Sequence, residues 1–373
     1  MRSYFNKIRE YVPLGALIIY ALTLISIVFF IIVKCSTSFA DFFNYYLTAP
    51  FRAAVSTVTS ILPFSIAEIL LLTIPVWATL IIFFAVKQVK KGTKNGVRYL
   101  NCIFSILCIF AICFIWTYSS GYSTTTIDKK LGMKREKVSA SELYETANWL
   151  AEEINSLAPS IDYDDMGASI MPYSYSKMSK KLCDGYDVFV DKYGVVRNFK
   201  SKIKPILLSE PLTYTHISGI YSFFTGESNI NVNYPDFIVS SSSAHELAHQ
   251  RGIAREEEAN FVAFLVCINS DDTFLQYSGY LDVYQEVMNA LYSADKEFYK
   301  QASSKLCYEA YMDRVSYAKF FEKYKDSKSS EISSSLNNSF LQANGQEAGT
   351  KSYGMVTDLT VAYYKSIADG KLK

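Results

Sequence analysis

His245-Glu246-Leu247-Ala248-His249 is the stretch of this chain whose residue types and spacing could do chemistry. On a helix of 3.6 residues per turn, positions i and i+4 share a face, so both imidazoles can reach one metal ion. Glu246 is rotated by about 100° from His245, enough to miss the metal and still reach a water bound to it. The pattern therefore suits a zinc-activated water with a glutamate as general base. The chain has only three histidines in 373 residues, and a chance His-Glu-x-x-His in such a sequence is expected on the order of 10⁻³ times. The helix carrying the motif needs a start and a stop. Ser240 to Ser243 offer N-cap hydroxyls upstream, and Gly252 offers a C-terminal stop shortly after His249.

Catalytic zinc normally takes three protein ligands and a water. Arg255 occupies the third histidine position of a His-Glu-x-x-His-x-x-Gly-x-x-His arrangement, and a guanidinium cannot ligate zinc. The remaining choices are His216 and the trio Glu256, Glu257 and Glu258, which opens a second helix. Glu256-Glu257-Glu258-Ala259-Asn260 resembles the Glu-x-x-Ala-Asp or Glu-x-x-Ala-Asn pattern of zinc proteases that use a glutamate ligand. That resemblance implies Glu256 as the ligand and Asn260, one turn on, as the residue that orients a metal-bound histidine. A helix start also favours acids through its dipole, so another glutamate of the trio and His216 stay open as ligands. An oxyanion needs a donor, and His216, Tyr221, Tyr353 and Arg255 are the candidates. Ser228 to Asn233 alternates polar and apolar residues, a strand pattern. Its edge is expected to be a substrate shelf, with Asn229 and Asn231 beside an extended peptide.

These residues lie in the second part of a chain that begins differently. Pro13 to Val33 is an uncharged apolar run, Ile61 to Val86 is another with the single acid Glu68, and Tyr99 to Tyr118 is a third. Each reaches the roughly 20 residues that cross a bilayer as a helix. The first is not followed by a small-residue cleavage site and reads as a retained span. The expected organisation is a membrane domain, 1–118, with three transmembrane helices (13–33, 61–86 and 99–118), and an outer domain, 119–373. Arg2, Lys7 and Arg9 precede the first run, and Lys87, Lys90, Lys91, Lys94 and Arg98 lie between the second and third. By the positive-inside rule the N-terminus is cytoplasmic and the C-terminal domain extracytoplasmic, at the cell membrane. The basic cluster from Lys129 to Lys137 argues weakly the other way. Glu68 reads as an acid near the interface or a polar contact between helices.

In the outer domain, Ser139 to Glu142 has capping-box spacing and opens a helix of about 141–157. Further helices are expected at 178–193, 256–268, 274–292, 303–325 and 356–367, with a loop at 326–335. Cys183, Cys267 and Cys307 have no metal-type spacing and read as free thiols. Lys and Arg total 37 against 36 acids, so no electrostatic footprint for nucleic acid exists. The 50% hydrophobic and 15% aromatic content excludes disorder. The expected partners are membrane lipid and a protein or peptide substrate.

Ser218-Gly219-Ile220-Tyr221, Thr225 to Asn231, His245 to Gly252, Glu256 to Phe261, Asn344-Gly345-Gln346 and Ser352 to Val356 carry a further resemblance. With the three N-terminal runs, they are similar to the bacterial membrane-protein family named domain of unknown function 3810. The resemblance implies a zinc-dependent, HExxH peptidase-like protein of unassigned substrate, with Zn²⁺ as cofactor. The expected fold is three transmembrane helices plus a mainly α (α+β) zincin-like outer domain with a small sheet. Two other functions are weighed beside the peptidase. One is a zinc-binding membrane sensor or scaffold without catalysis, and the other a zinc hydrolase of a non-peptide envelope substrate. Glu246, a non-ligand acid beside two histidines, argues for catalysis.

Overall fold

The computed structural model describes residues 2–372 and is mainly helical, with a small sheet. Two helices near the N-terminus, α1 (Leu14–Cys35) and α4 (Thr93–Thr117), are long and apolar enough to cross a membrane. They pack side by side, Tyr20 donating to Asn101 Oδ1 at 2.8 Å and Trp116 to Ser26 Oγ at 3.0 Å. The run expected as one straight span is two helices, α2 (Ile66–Leu72) and α3 (Ile74–Lys90), bent by 57° at their junction. Pro75 explains the break: it has no N–H to give, and its ring excludes the carbonyl four residues earlier. Glu68 is neither free nor a contact between helices. Its carboxylate accepts the backbone N–H groups of Leu207 and Leu208, both at 2.9 Å.

The segment between α1 and α2 is helical, and a π-helical turn at Phe43–Thr48 leads into a helix at Ala49–Thr59. It packs into the C-terminal part of the chain, as described below. There, α5 (Ala140–Leu157) begins with the expected capping box, and α6 (Tyr175–Tyr193) ends at Gly194 in the left-handed region. Three short strands follow: β1 (Ile203–Pro205), β2 (Gly219–Ser222) and β3 (Glu227–Ile230). Their order is β1-β3-β2, with β1 parallel to β3 (Ile203 opposite Ser228) and β2 antiparallel to it (Tyr221 opposite Ser228). The strand expected as an exposed edge is therefore the buried centre of the sheet. Asn229 donates to the Ile220 carbonyl at 3.1 Å, and Asn231 to Thr213 Oγ1 and the Ile217 carbonyl, both at 3.0 Å. The exposed edge belongs to β2.

Helix α7 (Asp236–Gln250) runs beneath the sheet and is buried along its length except at Asp236 and Ser242. It starts four residues before the serines expected to cap it. Pro235 precedes its first turn, where Asp236 accepts the Met171 N–H at 2.8 Å. Ser240 to Ser243 lie inside the helix, where Ser241 donates to the Ile238 carbonyl at 3.2 Å and Ser242 to Ser218 Oγ at 2.9 Å. Helix α8 (Glu256–Ile268) packs against α7, and α9 (Thr273–Ala294) against both. Their shared core includes Leu247, Ala248, Phe261, Leu265, Tyr277 and Leu281. The helix expected at 303–325 is shorter, Tyr308–Glu322, and a separate, unexpected helix, Lys296–Ser303, precedes it. The expected loop at 326–335 is instead the start of a helix, α10 (Lys328–Ala343), where Ser327 accepts the Ser329 N–H at 3.2 Å. The serines there conceal an i, i+4 apolar row of Ile332, Leu336 and Phe340. A last helix, α11, spans Val356–Ala368.

One buried ion pair ties the sheet to the chain that leads into α2. Lys204 and Glu227, 2% and 1% exposed, lie 3.5 Å apart. Lys204 also donates to the Thr59 and Phe64 carbonyls at 2.9 Å, and Glu227 accepts the N–H groups of Ile66 and Ala67 at 3.0 and 2.9 Å. Removing one member of such a pair strands the other charge in a dry site. Lys204→Met is expected to destabilise the full chain by about 3 kcal/mol. The double variant with Glu227→Gln should lose less than the sum of the single losses, as thermal unfolding in detergent can measure.

Candidate metal centre

Helical spacing on α7 places the rings of His245 and His249 with centroids 4.5 Å apart. The chain then turns sharply at Gly252, where φ is +98°, and α8 brings Glu256 back against the same face. Glu256 Oε2 lies 3.2 Å from His245 Nε2 and 3.3 Å from His249 Nε2. Among the described residues, these three form the one group of His, Cys and acid side chains whose ligand atoms converge within 4.8 Å. Oε2 has no hydrogen-bond partner, although it is buried and close to both nitrogens. Two imidazole nitrogens and a carboxylate oxygen facing a common point without hydrogen-bond geometry is the arrangement expected of metal ligands. Bonds of 2.0–2.1 Å at tetrahedral angles put ligand atoms about 3.3 Å apart, so the spacing suits a small tetrahedral ion.

Histidine orientation follows from neighbouring atoms. The Ile253 carbonyl, 2.7 Å from His249 Nδ1, can only accept, so Nδ1 carries a proton and Nε2 is the nitrogen that faces Glu256. His245 Nδ1 is buried without a partner. Electrostatics couples the group. Burial alone would raise the Glu256 carboxyl, but His249 and His245 outweigh it and hold it well below its usual range. Burial alone would lower His249, but Glu256 and Glu246 lift it to about 9. Glu246 is 5% exposed, and burial raises its pKa, with only partial relief from the two histidines. Lifted to about 9, His249 is protonated at neutral pH, and a divalent ion held there would displace the proton from its Nε2.

A cleft of about 810 Å³ opens over this cluster. Its wall is the free edge of β2, and Gly219 lies so close that a Cβ there would be 2.6 Å from Glu246 Cγ and Oε1. Tyr353 also lines it, its ring parallel to that of His245 and its hydroxyl accepting from Asn337 Nδ2 at 3.2 Å. Burial and the adjacent Glu256 raise the Tyr353 phenol well above its usual value. Tyr221 packs its ring 5.7 Å from that of Tyr118, and its buried hydroxyl has no partner.

Other expected roles do not fit their surroundings. His216 lines the cleft but is apart from the cluster: it sits at φ +60° and its Nε2 donates to the Tyr324 carbonyl at 2.8 Å. Glu257 accepts from Gln346 Nε2, and Glu258 pairs with Arg255, so neither faces the histidines. Arg255 spends its other donors on the Tyr122 and Thr124 carbonyls at 2.9 and 2.7 Å, which removes it as an oxyanion donor. Asn260 donates to the Tyr353 carbonyl at 3.4 Å rather than to a histidine. Sequence reasoning also missed Tyr118, Asp282 and Glu286, which line the cleft. Burial lifts Asp282 to about 6, and burial with the nearby Asp282 lifts Glu286 to about 7. Their i, i+4 spacing on α9 is ordinary for a solvated helix face, so no signal marked them.

The family described as Protein of unknown function (DUF3810) matches residues 43–361, most of the chain. The chain belongs to the DUF3810 family. No curated protein and no solved structure matches it. The DUF3810 match takes in both the cluster and the segment that holds its turn. Asn44 donates to the Gly252 carbonyl at 3.0 Å, Arg52 Nη2 to the Arg251 carbonyl at 3.1 Å, and Gln250 to Ser56 Oγ at 2.9 Å. A Cβ on Gly252 would clash with Arg52 Nη2 and lie 2.7 Å from Asn44 Oδ1, besides straining a left-handed backbone. Gly252→Ala is therefore expected to cost at least about 2 kcal/mol, read as a lowered unfolding midpoint of the full chain.

Proposed function

We propose that this DUF3810 protein is a membrane-anchored zinc metallopeptidase. The observation that carries the reading is the convergence of His245, His249 and Glu256 around a common point, with Glu246 and a free sheet edge beside it. A helix bearing two histidines under a sheet whose edge borders the cleft supports a zincin-like fold. His245 Nε2, His249 Nε2 and Glu256 Oε2 would hold Zn²⁺. When bound, the ion supplies Lewis acidity that polarises a scissile carbonyl and acidifies a water.

The remaining work falls to the chain. The edge of β2, from Ser218 to Tyr221, would align an extended peptide through backbone hydrogen bonds. Glu246, whose pKa burial raises, takes the water proton on its carboxylate and passes it to the leaving amine. Tyr353, beside Glu256 and His245, is the best-placed oxyanion donor, and Tyr221 is a second phenol on the same cleft. The Ile253 carbonyl, and not Asn260, holds His249 in its tautomer.

For the anchor, α1, the bent pair α2–α3 and α4 make three spans. The basic residues before α1 and between α3 and α4 favour a cytoplasmic N-terminus and an extracytoplasmic catalytic domain at the cell membrane. Alkaline phosphatase fused after Lys373 is expected to be active in cells, and an inactive fusion would place the domain inside.

Glu246→Gln should retain zinc at wild-type stoichiometry and lose cleavage by about 10²-fold or more. His245→Ala should lose both zinc and cleavage. Tyr353→Phe should retain zinc and lose about 10²–10³ in kcat. Zinc content of the purified full chain and proteomics of envelope and medium from cells carrying each variant are the measurements. Full biological function in both Glu246→Gln and His245→Ala would sink the enzyme reading.

A further inference from the structure

Helix α10 carries an apolar row that the rest of the chain leaves open. Ile332, Leu336 and Phe340 are 63%, 68% and 40% exposed, as open as Phe104 and Leu107 on the outside of α4, at 55% and 60%. The other side of α10 is fixed in place. Asn338 Oδ1 accepts the Thr350 N–H at 3.1 Å, Asn337 donates to the Tyr353 hydroxyl at 3.2 Å, and Leu341 is buried. The helix is also nearly uncharged: its 16 residues include only Lys328 and Glu331, both in the first turn, and its other polar residues are serine, asparagine and glutamine. Single exposed apolar residues are ordinary on a water-facing surface, whereas a bulky row at i, i+4 spacing with no charge beside it is not.

The row runs onto the surface of α4. Phe340 meets Phe114 edge to face, with ring centroids 6.1 Å apart. The turn between β2 and β3 packs on the same part of α4. Phe223 lies 5.3 Å from Phe114 and Phe224 5.3 Å from Phe110, and Thr117 donates to the Phe223 carbonyl at 2.8 Å. Depth follows from helix length. Arg98 is the last basic residue of α4, and about 20 residues at about 1.5 Å each carry the roughly 30 Å apolar core of a bilayer from there to Tyr118. Phe110 and Phe114 fall inside that thickness, so Phe340 stands at its rim. The outside of α4 and the row on α10 are joined there as one apolar surface.

We propose that α10 lies in the surface of the bilayer that α4 crosses, with Ile332, Leu336 and Phe340 inserted among the lipid chains. The occupant is lipid rather than protein because the row is continuous with a helix apolar enough to span the membrane. Lys328 and Glu331 cancel in net charge, so apolar area drives the insertion and lipid charge does not. Leu336 and Phe340 also border the cleft over the histidines, together with Phe223 and Tyr118, whose hydroxyl is 3.4 Å from His249 Nδ1. The cleft therefore opens along the bilayer surface. This placement rests on α4 crossing the membrane and needs neither zinc nor catalysis.

The test uses the full chain in phosphatidylcholine vesicles that contain a phosphatidylcholine with a diazirine on its acyl chain. After illumination and trypsin, lipid adducts are mapped by mass spectrometry. The peptide 99–129, between Arg98 and Lys129, reports on α4, and the peptide 329–351, between Lys328 and Lys351, reports on α10. Both should be labelled, the second at Ile332, Leu336 and Phe340, and adding phosphatidylglycerol should not change the yield. Ile332→Ser with Leu336→Ser, at exposed positions, should lower the yield on 329–351 at least about tenfold and leave that on 99–129 unchanged. Labelling of 99–129 without 329–351 would overturn the proposal and leave the row to a second copy of the chain or to a substrate. Absence of label from both peptides would overturn the span and the proposal together.

Discussion

The turn at Gly252 fixes the distance between two histidines on one helix and a glutamate on the next. Everything at the site depends on that corner being tight. A left-handed glycine makes the reversal, and Asn44 and Arg52 grip its carbonyls from the segment between α1 and α2. Gly121 closes the other side, where a Cβ would meet the Gly252 oxygen at 2.5 Å. The side chains of the cluster thus belong to α7 and α8, but their alignment rests on residues from the segment that follows α1. The same segment is joined to the sheet through Lys204 and Glu227, and Glu68 secures the loop after β1. The corner is held from several directions at once, which suits groups that must stay within a few tenths of an ångström of one another.

Charge explains why such rigid support is needed. Glu246 and Glu256 are both buried, and each would prefer to be protonated or solvated. Glu256 stays ionised because two imidazoles face it, and Glu246 has only partial compensation. Without constraint, the side chains would rotate to form ordinary hydrogen bonds. The scaffold instead keeps their ligand atoms converging, at a cost in stability that resembles the stored electrostatic strain of preorganised sites.

Local patterns were legible in the sequence and long-range ones were not. His245 and His249 could be placed on one face from periodicity, and α8 spans the residues expected for it because an acidic opening follows a glycine stop. Glu256 is legible only through the resemblance of Glu256 to Asn260 to the Glu-x-x-Ala-Asn pattern, since a first-turn position alone leaves the three glutamates equivalent. Asn44 and Arg52 could not be read, since nothing in a short polar segment shows which turn, some 200 residues on, it will hold. β3 looked like an edge because alternation reports a half-buried face and is silent on strand order. Its partner β1 is three residues ending in proline and carries no pattern of its own. Ser240 to Ser243 looked like caps by residue type, yet the helix began earlier, where Pro235 and Asp236 suit a first turn. Arg255 was misjudged for a related reason: its charge was visible, but the Tyr122 and Thr124 carbonyls that consume it were not.

The pairing of Asn44 with Gly252 spans 208 residues of chain, and that of Arg52 with Arg251 spans 199. During synthesis at about 5–20 residues per second, Asn44 and Arg52 emerge roughly 10–40 s before the backbone they hold exists. In that interval the segment that follows α1 waits for its partners, and the corner sets only once the chain around Gly252 has been made. The three converging side chains therefore come together only after both long apolar helices, α1 and α4, have already been synthesised.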